Sequence, residues 1–550
     1  MRIGKCIVIG LTVMAFLASP AMANHGHHFF GKRIKNVIVM IPDGCDETVQ
    51  TVARWYKGEN LQVDKMQGGA VKVHMADSVI PDSAAAATSF ATGHKTSDGF
   101  VGVGPRTDTL LTGLVPTAEA YAPVASILEA AKSGGKATGI VVSCRVSHAT
   151  PAAFASHVHD RDLDNDIIEH MVYNNIDVVF GGGARHLIPS GSSYETSFGE
   201  VWKGKRTDGE NLMDVLLARG YQFVDNKDDM AALSKGKVWG LFDDSHMQPD
   251  MDRQYFASHE PSLSEMTEKA IDLLSRDREG FFLMVEGSQV DWAGHNNDPI
   301  YMVKDFIAFD DAVKVACDFA EKDGQTLVLA YPDHNTGGMK IGHYNTAMGY
   351  TETTIEDLVD PLKGMKISSP GLAAMMTGNS DTELIAKVAE YWSLNITQED
   401  VDEIRELEPS VGLAYALARV LSKNYTVIGW TTHGHNGETV PLWAYGMDIP
   451  RGIIDNTDLA KIAAHAMDVN LDQMSGNLFV DLAAITNNYV IDQTDPANPV
   501  VKIKGAELPV SKDFMVYKGK TIRLPGITVF APATDKVYVA KKALRILGLM

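Results

Sequence analysis

Residues 36–43 read Asn-Val-Ile-Val-Met-Ile-Pro-Asp, a continuous apolar run that ends at a proline and a carboxylate. An apolar run of this kind, without polar alternation, is typical of a parallel strand covered by helices on both faces. Five further runs have a similar character and are predicted as strands: 138–144, 177–180, 281–286, 326–331 and 425–430. Helical patterns lie between several of them, at 124–131 (opened by Pro123), 263–274 and 301–319. This alternation predicts a doubly wound α/β fold, with a mostly parallel sheet and helices on both faces.

Metal-binding side chains follow or end five of the six predicted strands. In chain order these residues are Asp43, then His148 with Thr150, Glu286, Asp333 with His334, and His435. Ligands of open α/β sheets bind at the carboxyl ends of the strands, so we expect these side chains to meet at one edge. Mixed histidine and carboxylate ligands suit zinc, whereas oxygen-rich sets suit magnesium.

The segment Asp291-Trp-Ala-Gly-His295 adds a carboxylate and an imidazole four residues apart, which share one face of a helical turn. Spacing alone does not choose between His433 and His435 as a further ligand. His157 and His159 are predicted as a pair on a helix face, with metal binding as the alternative.

A nucleophile is predicted at the start of the Ala-rich run Asp82-Ser-Ala-Ala-Ala-Ala-Thr88. A helix beginning here presents free backbone N–H groups and a positive dipole end, which favour a phosphate and the alkoxide of Ser83. The alternative is that Asp82 or Ser83 serves only as the helix cap.

Composition and charge restrict the class of protein. The 550-residue chain carries a formal net charge of −21, which argues against binding to nucleic acid or an anionic membrane surface. An acidic protein that binds phosphate needs local positive charge, and divalent metals held by its carboxylates would supply it. Three cysteines lie outside the first 23 residues, and they are predicted as buried free thiols, with a Cys45–Cys144 bond left open: Cys45, Cys144 and Cys317.

Residues 1–23 are predicted to be a secretory signal, with basic Arg2 and Lys5, an apolar run at 7–17 and an Ala-Met-Ala cleavage site. The run is too short to span a bilayer, so we expect a periplasmic or secreted protein without a membrane anchor. Three histidines follow in a segment, 24–33, predicted to be disordered: His25, His27 and His28.

The mature chain is predicted to contain a catalytic domain at 24–485 and a β-rich extension at 486–550. An insertion interrupts the catalytic domain at 340–424; its second half, 382–422, is largely helical in pattern, with a cap at Thr397. Short strands are predicted in the extension at 500–503, 514–517 and 536–539.

Seven motifs together resemble the alkaline phosphatase family in order and context. They are Ile-Pro-Asp43-Gly, the 82–88 run, Ser-His148-Ala-Thr150-Pro-Ala-Ala, Val-Glu286-Gly, Asp291-x-x-x-His295, Asp333-His334 and His435-x-Gly-Glu438. The resemblance implies a phosphomonoester hydrolase that releases inorganic phosphate from small substrates through a phosphoserine at Ser83. It also implies a homodimer, two Zn²⁺ ions and one Mg²⁺ ion.

The resemblance further implies a role for each site residue. One zinc would take Asp291, His295 and His435; the second would take Asp43, Asp333 and His334 beside Ser83; magnesium would take Asp43, Thr150 and Glu286. Arg161 matches the phosphate-gripping arginine. His148 stands where some members carry a carboxylate near the magnesium, and Trp292 stands where some carry a lysine or histidine near the phosphate. A phosphodiesterase or sulfatase on the same scaffold, or a non-catalytic phosphate or metal scavenger, are the alternatives.

Overall fold

The computed structural model describes residues 33–346, 349–446 and 449–550. The predicted signal sequence and the three histidines that follow it lie outside this range. Ten strands form one central sheet. From edge to edge the strands are Gly452–Asp455, Gln67–Lys72, Val440–Tyr445, Thr326–Ala330, Asn36–Pro42, Phe281–Gly287, Ala137–Arg145, Val178–Gly182, Val238–Leu241 and Gln222–Val224. Only Val440–Tyr445 runs antiparallel to its neighbours, so the sheet is mostly parallel as predicted.

The central strand Asn36–Pro42 shows why both sheet faces must be covered. All seven of its residues are buried. Val37, Val39 and Ile41 join the hydrophobic core on one face, whereas Ile38 and Met40 join a second core on the other. This alternation follows from the period of two along a strand and confirms the doubly wound arrangement.

Helices of the described chain cover both faces, and their ends follow local capping. Leu263–Leu274 has the predicted bounds, because the Ser262 side chain and Glu265 form a reciprocal capping box. The helices are Glu47–Lys57, Ser83–Thr92, Ile127–Ser133, Ala149–Ala152, Asp164–Tyr173, Leu212–Ala218, Lys227–Ala232, Arg253–Phe256, Leu263–Leu274, Gln289–Asn296, Pro299–Asp323, Ile355–Lys363, Ser369–Ala374, Asp381–Trp392, Gln398–Val411, Leu413–Tyr425, Asn456–Met467, Leu471–Leu478 and Lys541–Ile546.

The prediction of a sixth strand of the central sheet at 425–430 is wrong in the sheet to which the strand belongs and in the residue at which it begins. Tyr425 ends a helix, and the strand Ile428–Trp430 pairs antiparallel with Met339–Ile341 in a separate two-stranded sheet. The sheet position beside Thr326–Ala330 is instead filled by Val440–Tyr445. Its proline at 441 weakened the strand signal in the sequence.

Two further local predictions need correction. The helix predicted at 124–131 begins at Ile127, because Ser126 and Glu129 form a capping box there; Pro123 lies outside it and bridges Val103. His157 and His159 do not lie on a helix, since the helix before them is only Ala149–Ala152.

The insertion is helical and extends an existing core. Helices between Ile355 and Tyr425 contribute buried side chains to the same core as Leu263–Leu274 and Pro299–Asp323. The cap predicted at Thr397 is present as a capping box with Asp400.

The C-terminal extension forms antiparallel sheets with a small core of its own. A five-stranded sheet contains Val490–Asp492, Val500–Ile503, Ala506–Pro509, Phe514–Tyr517 and Lys520–Arg523. In a three-stranded sheet, Lys536–Val539 and Val529–Ala531 are joined by Val480–Asp481, which precedes the predicted start of the extension. Two short ribbons elsewhere are Ser193–Glu195 with Val201–Lys203 and Asn335–Thr336 with His435–Asn436.

Cys45, Cys144 and Cys317 are buried free thiols, as predicted. Within the described ranges, no helix has the length and apolar character needed to cross a membrane.

Candidate active site

Ser83 is the first residue of the helix Ser83–Thr92 and is 2% exposed. Asp82, not Ser83, is the cap: its carboxylate accepts hydrogen bonds from the Ala84 and Ala85 N–H groups at 3.2 and 2.9 Å. The Ser83 hydroxyl therefore remains available for another partner. All ten residues of this helix are buried, because alanine and serine allow close packing against its neighbours.

The Ser83 hydroxyl faces the first group of candidate ligands. Its Oγ lies 3.1 Å from His334 Nε2. The same nitrogen is 3.2 Å from Asp333 Oδ2 and 3.6 Å from Asp43 Oδ1. Asp43 follows the strand Asn36–Pro42, and Asp333 and His334 follow the neighbouring strand Thr326–Ala330, so parallel pairing brings these residues together.

A second group surrounds Asp291. Its carboxylate lies 3.4 Å from His295 Nε2, one helical turn away, and 3.6 Å from His435 Nε2. The Nδ1 atoms of the two histidines face backbone carbonyls, at 2.7 Å from His433 O and 2.8 Å from Pro81 O. Donation from Nδ1 leaves each Nε2 free to bind a metal. The structure therefore distinguishes the two histidines: His435 presents its ring, whereas His433 supplies a carbonyl.

A third group contains Glu286, which lies near the end of the strand that pairs with Asn36–Pro42, the strand that Asp43 follows. The side chains of Cys144, His148 and Glu286 have atoms within 4.8 Å of one another. Thr150 is fully buried, and it lies in the short helix Ala149–Ala152 that begins right after His148.

The site fits metal ions because several of its buried polar atoms have no hydrogen-bond partner among the residues that the structure describes. Unpartnered buried atoms are uncommon in proteins, and a bound cation would satisfy these. They are Asp43 Oδ1 and Oδ2, His148 Nδ1, Thr150 Oγ1, Glu286 Oε1 and Asp333 Oδ2. The donor set, carboxylates with imidazoles and a hydroxyl, is one that zinc and magnesium accept.

The electrostatics of the protein alone also favour added positive charge. Burial, followed by repulsion from Asp333, Asp291 and Glu286, raises the pKa of Asp43 well above its usual range. Burial likewise raises the pKa of Glu286 to about 8 and that of Asp333 to about 6. Asp291 differs: burial opposes its ionisation, but His295 and the other imidazoles hold its pKa well below the usual range.

Arg161 lies beside the head of the Ser83 helix. Its Nη1 donates to Asp82 Oδ2 at 3.2 Å, and its Nη2 lies 3.2 Å from His148 Nε2. The structure thus brings Ser83, Arg161 and the three groups of predicted ligands into one region.

Trp292 lies next to this region and packs edge-on against two imidazoles. Its ring centroid is 5.8 Å from that of His148 and 4.5 Å from that of His246. Sequence reasoning missed His246 because no motif surrounds it, and it is held by the backbone N–H and guanidinium of Arg145.

Thr336 is a second residue that sequence reasoning missed. Its hydroxyl lies 2.5 Å from Asp291 Oδ1 and 3.2 Å from His334 Nδ1. The only sequence signal was its position two residues after His334. It links the first and second ligand groups through hydrogen bonds.

Comparison with known proteins agrees with this geometry. The alkaline phosphatase family profile matches residues 34–469. Alkaline phosphatase 3 of Bacillus subtilis is 34% identical over 460 residues, covering 80% of this chain and 90% of the relative.

Two solved structures are also similar. The cold-active alkaline phosphatase of a psychrophilic Shewanella species aligns with a TM-score of 0.66 at 27% identity, covering 78% of this chain and 99% of that structure. The Thermus thermophilus alkaline phosphatase, at 24% identity, shares the fold with a TM-score of 0.69 over 80% of this chain and 92% of that structure. The chain belongs to the alkaline phosphatase family and is a metal-dependent phosphomonoester hydrolase.

Proposed function

We propose that Ser83 is the nucleophile of this hydrolase and that the reaction proceeds through a phosphoserine. The observation that supports this most directly is the position of its Oγ, buried at a helix start and 3.1 Å from His334 Nε2. Asp82 caps this helix, so the Ser83 hydroxyl is not needed to accept hydrogen bonds from the first N–H groups of the helix.

In the first step Ser83 gives up its hydroxyl proton and its oxygen attacks phosphorus; the bond to the leaving oxygen breaks, and that oxygen takes up the proton and departs as an alcohol. In the second step water attacks the phosphoserine, the Oγ–phosphorus bond breaks, and inorganic phosphate leaves while Ser83 regains its proton. Arg161, fixed between Asp82 and His148, holds two phosphate oxygens with the planar fork of its guanidinium.

We assign two zinc ions and one magnesium ion to the three ligand groups. Asp291, His295 and His435 would hold one zinc, Asp43, Asp333 and His334 the other, and Asp43, Thr150 and Glu286 the magnesium. When bound, these ions neutralise the phosphate, lower the pKa of the attacking oxygen and stabilise the leaving one. The unpartnered oxygens of Asp43 support its place in two of these sets.

At two positions of the proposed site, His148 and Trp292 stand where some family members carry other residues. The Nε2 of His148 faces Arg161, and its Nδ1 has no partner among the described residues. An imidazole beside the third group would weaken its preference for magnesium relative to a carboxylate at that position. The indole of Trp292 supplies no cation for phosphate, so product release should be fast. We also propose a homodimer that is exported to the periplasm or outside the cell, on the basis of the family and residues 1–23.

The test is hydrolysis of p-nitrophenyl phosphate and of its bis-ester at alkaline pH by protein loaded with zinc and magnesium. We expect turnover of the monoester, lost in Ser83→Ala while bound metal and the melting temperature are retained. Trapping the phosphoenzyme at low pH should label the wild type alone. Preference for the diester, or a label that persists in Ser83→Ala, would contradict the proposal.

A further inference from the structure

A cavity of about 450 Å³ lies between residues of the predicted catalytic domain and residues of the C-terminal extension. One wall comes from residues between Val103 and His170, and the opposite wall comes from residues between Gln493 and Ala533. Among the described residues that line it, none belongs to the three ligand groups. Its volume is in the range of cavities that bind small molecules. We call it the junction cavity.

The junction cavity has a buried floor and an open mouth. His157 and His170, each 3% exposed, and Glu169, 5% exposed, form the floor. Asp166 and Gln493 also line the cavity but are exposed to solvent. A small molecule can therefore enter from solvent and reach side chains that are otherwise removed from water.

Apolar rings and prolines cover much of the wall. Tyr121 of the catalytic domain, and Phe514 and Phe530 of the extension, line the cavity and are each partly exposed. Four prolines of the extension add rigid apolar surface: Pro496, Pro499, Pro509 and Pro532. Water leaves such a surface when the apolar part of a ligand covers it, which favours binding.

The charged groups at and behind the floor carry excess negative charge. Lys512 lies 3.4 Å from the Glu169 carboxylate and 2.8 Å from that of Glu210. Arg206 lies 3.4 Å from Glu169 and pairs with Asp208 as well. Two cations are thus shared among three carboxylates, so one negative charge is left over when all five groups are ionised.

Asp166 adds a second negative charge at the mouth. Its carboxylate has no hydrogen-bond or ion-pair partner among the described residues. The histidines of the floor do not supply the missing positive charge. Burial lowers the pKa of His170 to about 3, so its ring is neutral. His157 is paired with the Glu129 carboxylate at 3.0 Å, so a charge on its ring is balanced there.

We propose that the junction cavity is a binding site for an organic cation, an amine with an apolar body. Its ammonium group donates to the Asp166 carboxylate, and its apolar part covers the rings of Phe514 and Phe530. An ammonium ion supplies the charge that the site lacks, and aromatic faces attract such ions. An anion is repelled, and a neutral ligand gains less from the carboxylate. The inference goes beyond the phosphoserine reaction and does not depend on it.

The test uses three probes of matched shape: benzylamine, benzyl alcohol and benzoate. Calorimetry with the full zinc- and magnesium-loaded chain is run at pH 8, above the pKa of about 7 to which burial raises Glu169. Inorganic phosphate is added to occupy the active site. We expect a Kd of about 1 mM or below for benzylamine and a value at least about tenfold higher for benzyl alcohol, because charged hydrogen bonds have this strength. Benzoate should show no measurable binding.

Variants separate the charge from the apolar wall. Asp166→Asn should remove the preference for benzylamine while leaving the Kd of benzyl alcohol unchanged. Phe530→Ala should weaken both probes by a similar factor, because it removes a ring but no charge; Phe530→Leu replaces it if alanine lowers the melting temperature. Asp162→Asn is the matched control, since this exposed carboxylate lies four residues earlier and does not line the cavity. Its Kd values should equal those of the wild type.

Equal Kd values for the three probes, or a benzylamine preference that persists in Asp166→Asn, would overturn the inference. Displacement of benzylamine by inorganic phosphate would place the amine in the active site and overturn it as well. Ca²⁺ alone is the last probe, because Glu169, Asp208 and Glu210 have possible ligand atoms within 4.8 Å of one another. A melting temperature that rises with Ca²⁺ but not with benzylamine would indicate an inorganic cation site instead. Ser83→Ala should bind benzylamine like the wild type, so the cavity and the reaction are tested separately.

Discussion

Replacing Thr336 by valine removes the link between the two candidate zinc groups while preserving the shape of a fully buried side chain. The threonine hydroxyl lies 2.5 Å from Asp291 Oδ1 and 3.2 Å from His334 Nδ1, so it donates to the carboxylate and accepts from the imidazole. Valine leaves both ligands without the partner that orients them. Losses of this kind cost about 10–100-fold in metal affinity, equivalent to roughly 1.4–2.7 kcal/mol.

The assay is competition for zinc between the protein and a chelator, with p-nitrophenyl phosphate turnover measured at each free zinc concentration. Thr336→Val should need about 10–100-fold more free zinc for half-maximal activity. Thr336→Ser keeps the hydroxyl and should stay close to the wild type, apart from the small cavity left by the missing methyl. If the valine variant binds zinc like the wild type, or if the serine variant loses as much as the valine variant, the reasoning is refuted.

Substitutions at three further residues test groups outside the three ligand sets. Glu129→Gln removes the charge partner of buried His157, 3.0 Å away, and should cost about 3–5 kcal/mol. Burial lowers the pKa of His157, but the Glu129 carboxylate outweighs burial and raises the pKa above its usual value. The cost in urea unfolding should therefore be larger at pH 6, where His157 is protonated, than at pH 9; equal costs would exclude a charged pair. Burial raises the pKa of Glu169 to about 7 from 4.5, so its contribution to stability is complete below pH 4.5 and is lost as pH rises through 7. Glu169→Gln should therefore gain roughly 2–3 kcal/mol relative to the wild type between pH 5 and 8, and a constant difference would be inconsistent with this. His246→Ala removes a ring packed against Trp292, worth about 0.5–1.5 kcal/mol, and should increase acrylamide quenching of that indole, whereas His246→Phe should not.

The sequence predicted the central part of the fold well because buried parallel strands have an unmistakable pattern. Asn36–Pro42 and Phe281–Gly287 have both faces covered, so nearly every residue is apolar. Strands that carried a weaker pattern were missed. Gln67–Lys72 contains two glycines, and Val440–Tyr445 contains a proline, so neither resembles a central strand by composition.

The last predicted strand shows the limit of local pattern. The apolar residues around 425–430 do form a short strand, but its partner is decided by contacts with Met339–Ile341, which lies almost 90 residues earlier. Composition cannot reveal such a partner, because hydrogen bonds between strands are backbone interactions that many sequences satisfy.

In the candidate site, too, the residues with a local sequence pattern were predicted, and contacts between distant segments were not. Ser83, Asp291 with His295, and Asp333 with His334 were recognisable because local spacing places each group on one helix start, one helical turn or one strand end. The resemblance in sequence favoured His435 over His433. The fold supports the same choice independently, because the ring of His435 lies beside Asp291 whereas the carbonyl of His433 faces His295.

By itself, the sequence determined the class of fold, the acidic character that calls for metal ions, and the identity of the main candidate ligands, since these depend on residue type and short-range periodicity. Only the tertiary structure decided that Thr336 joins two ligand groups and that His246 packs against Trp292. These features arise where segments distant in sequence meet. Their energies come from desolvation and hydrogen-bond geometry, which exist only once the chain is folded.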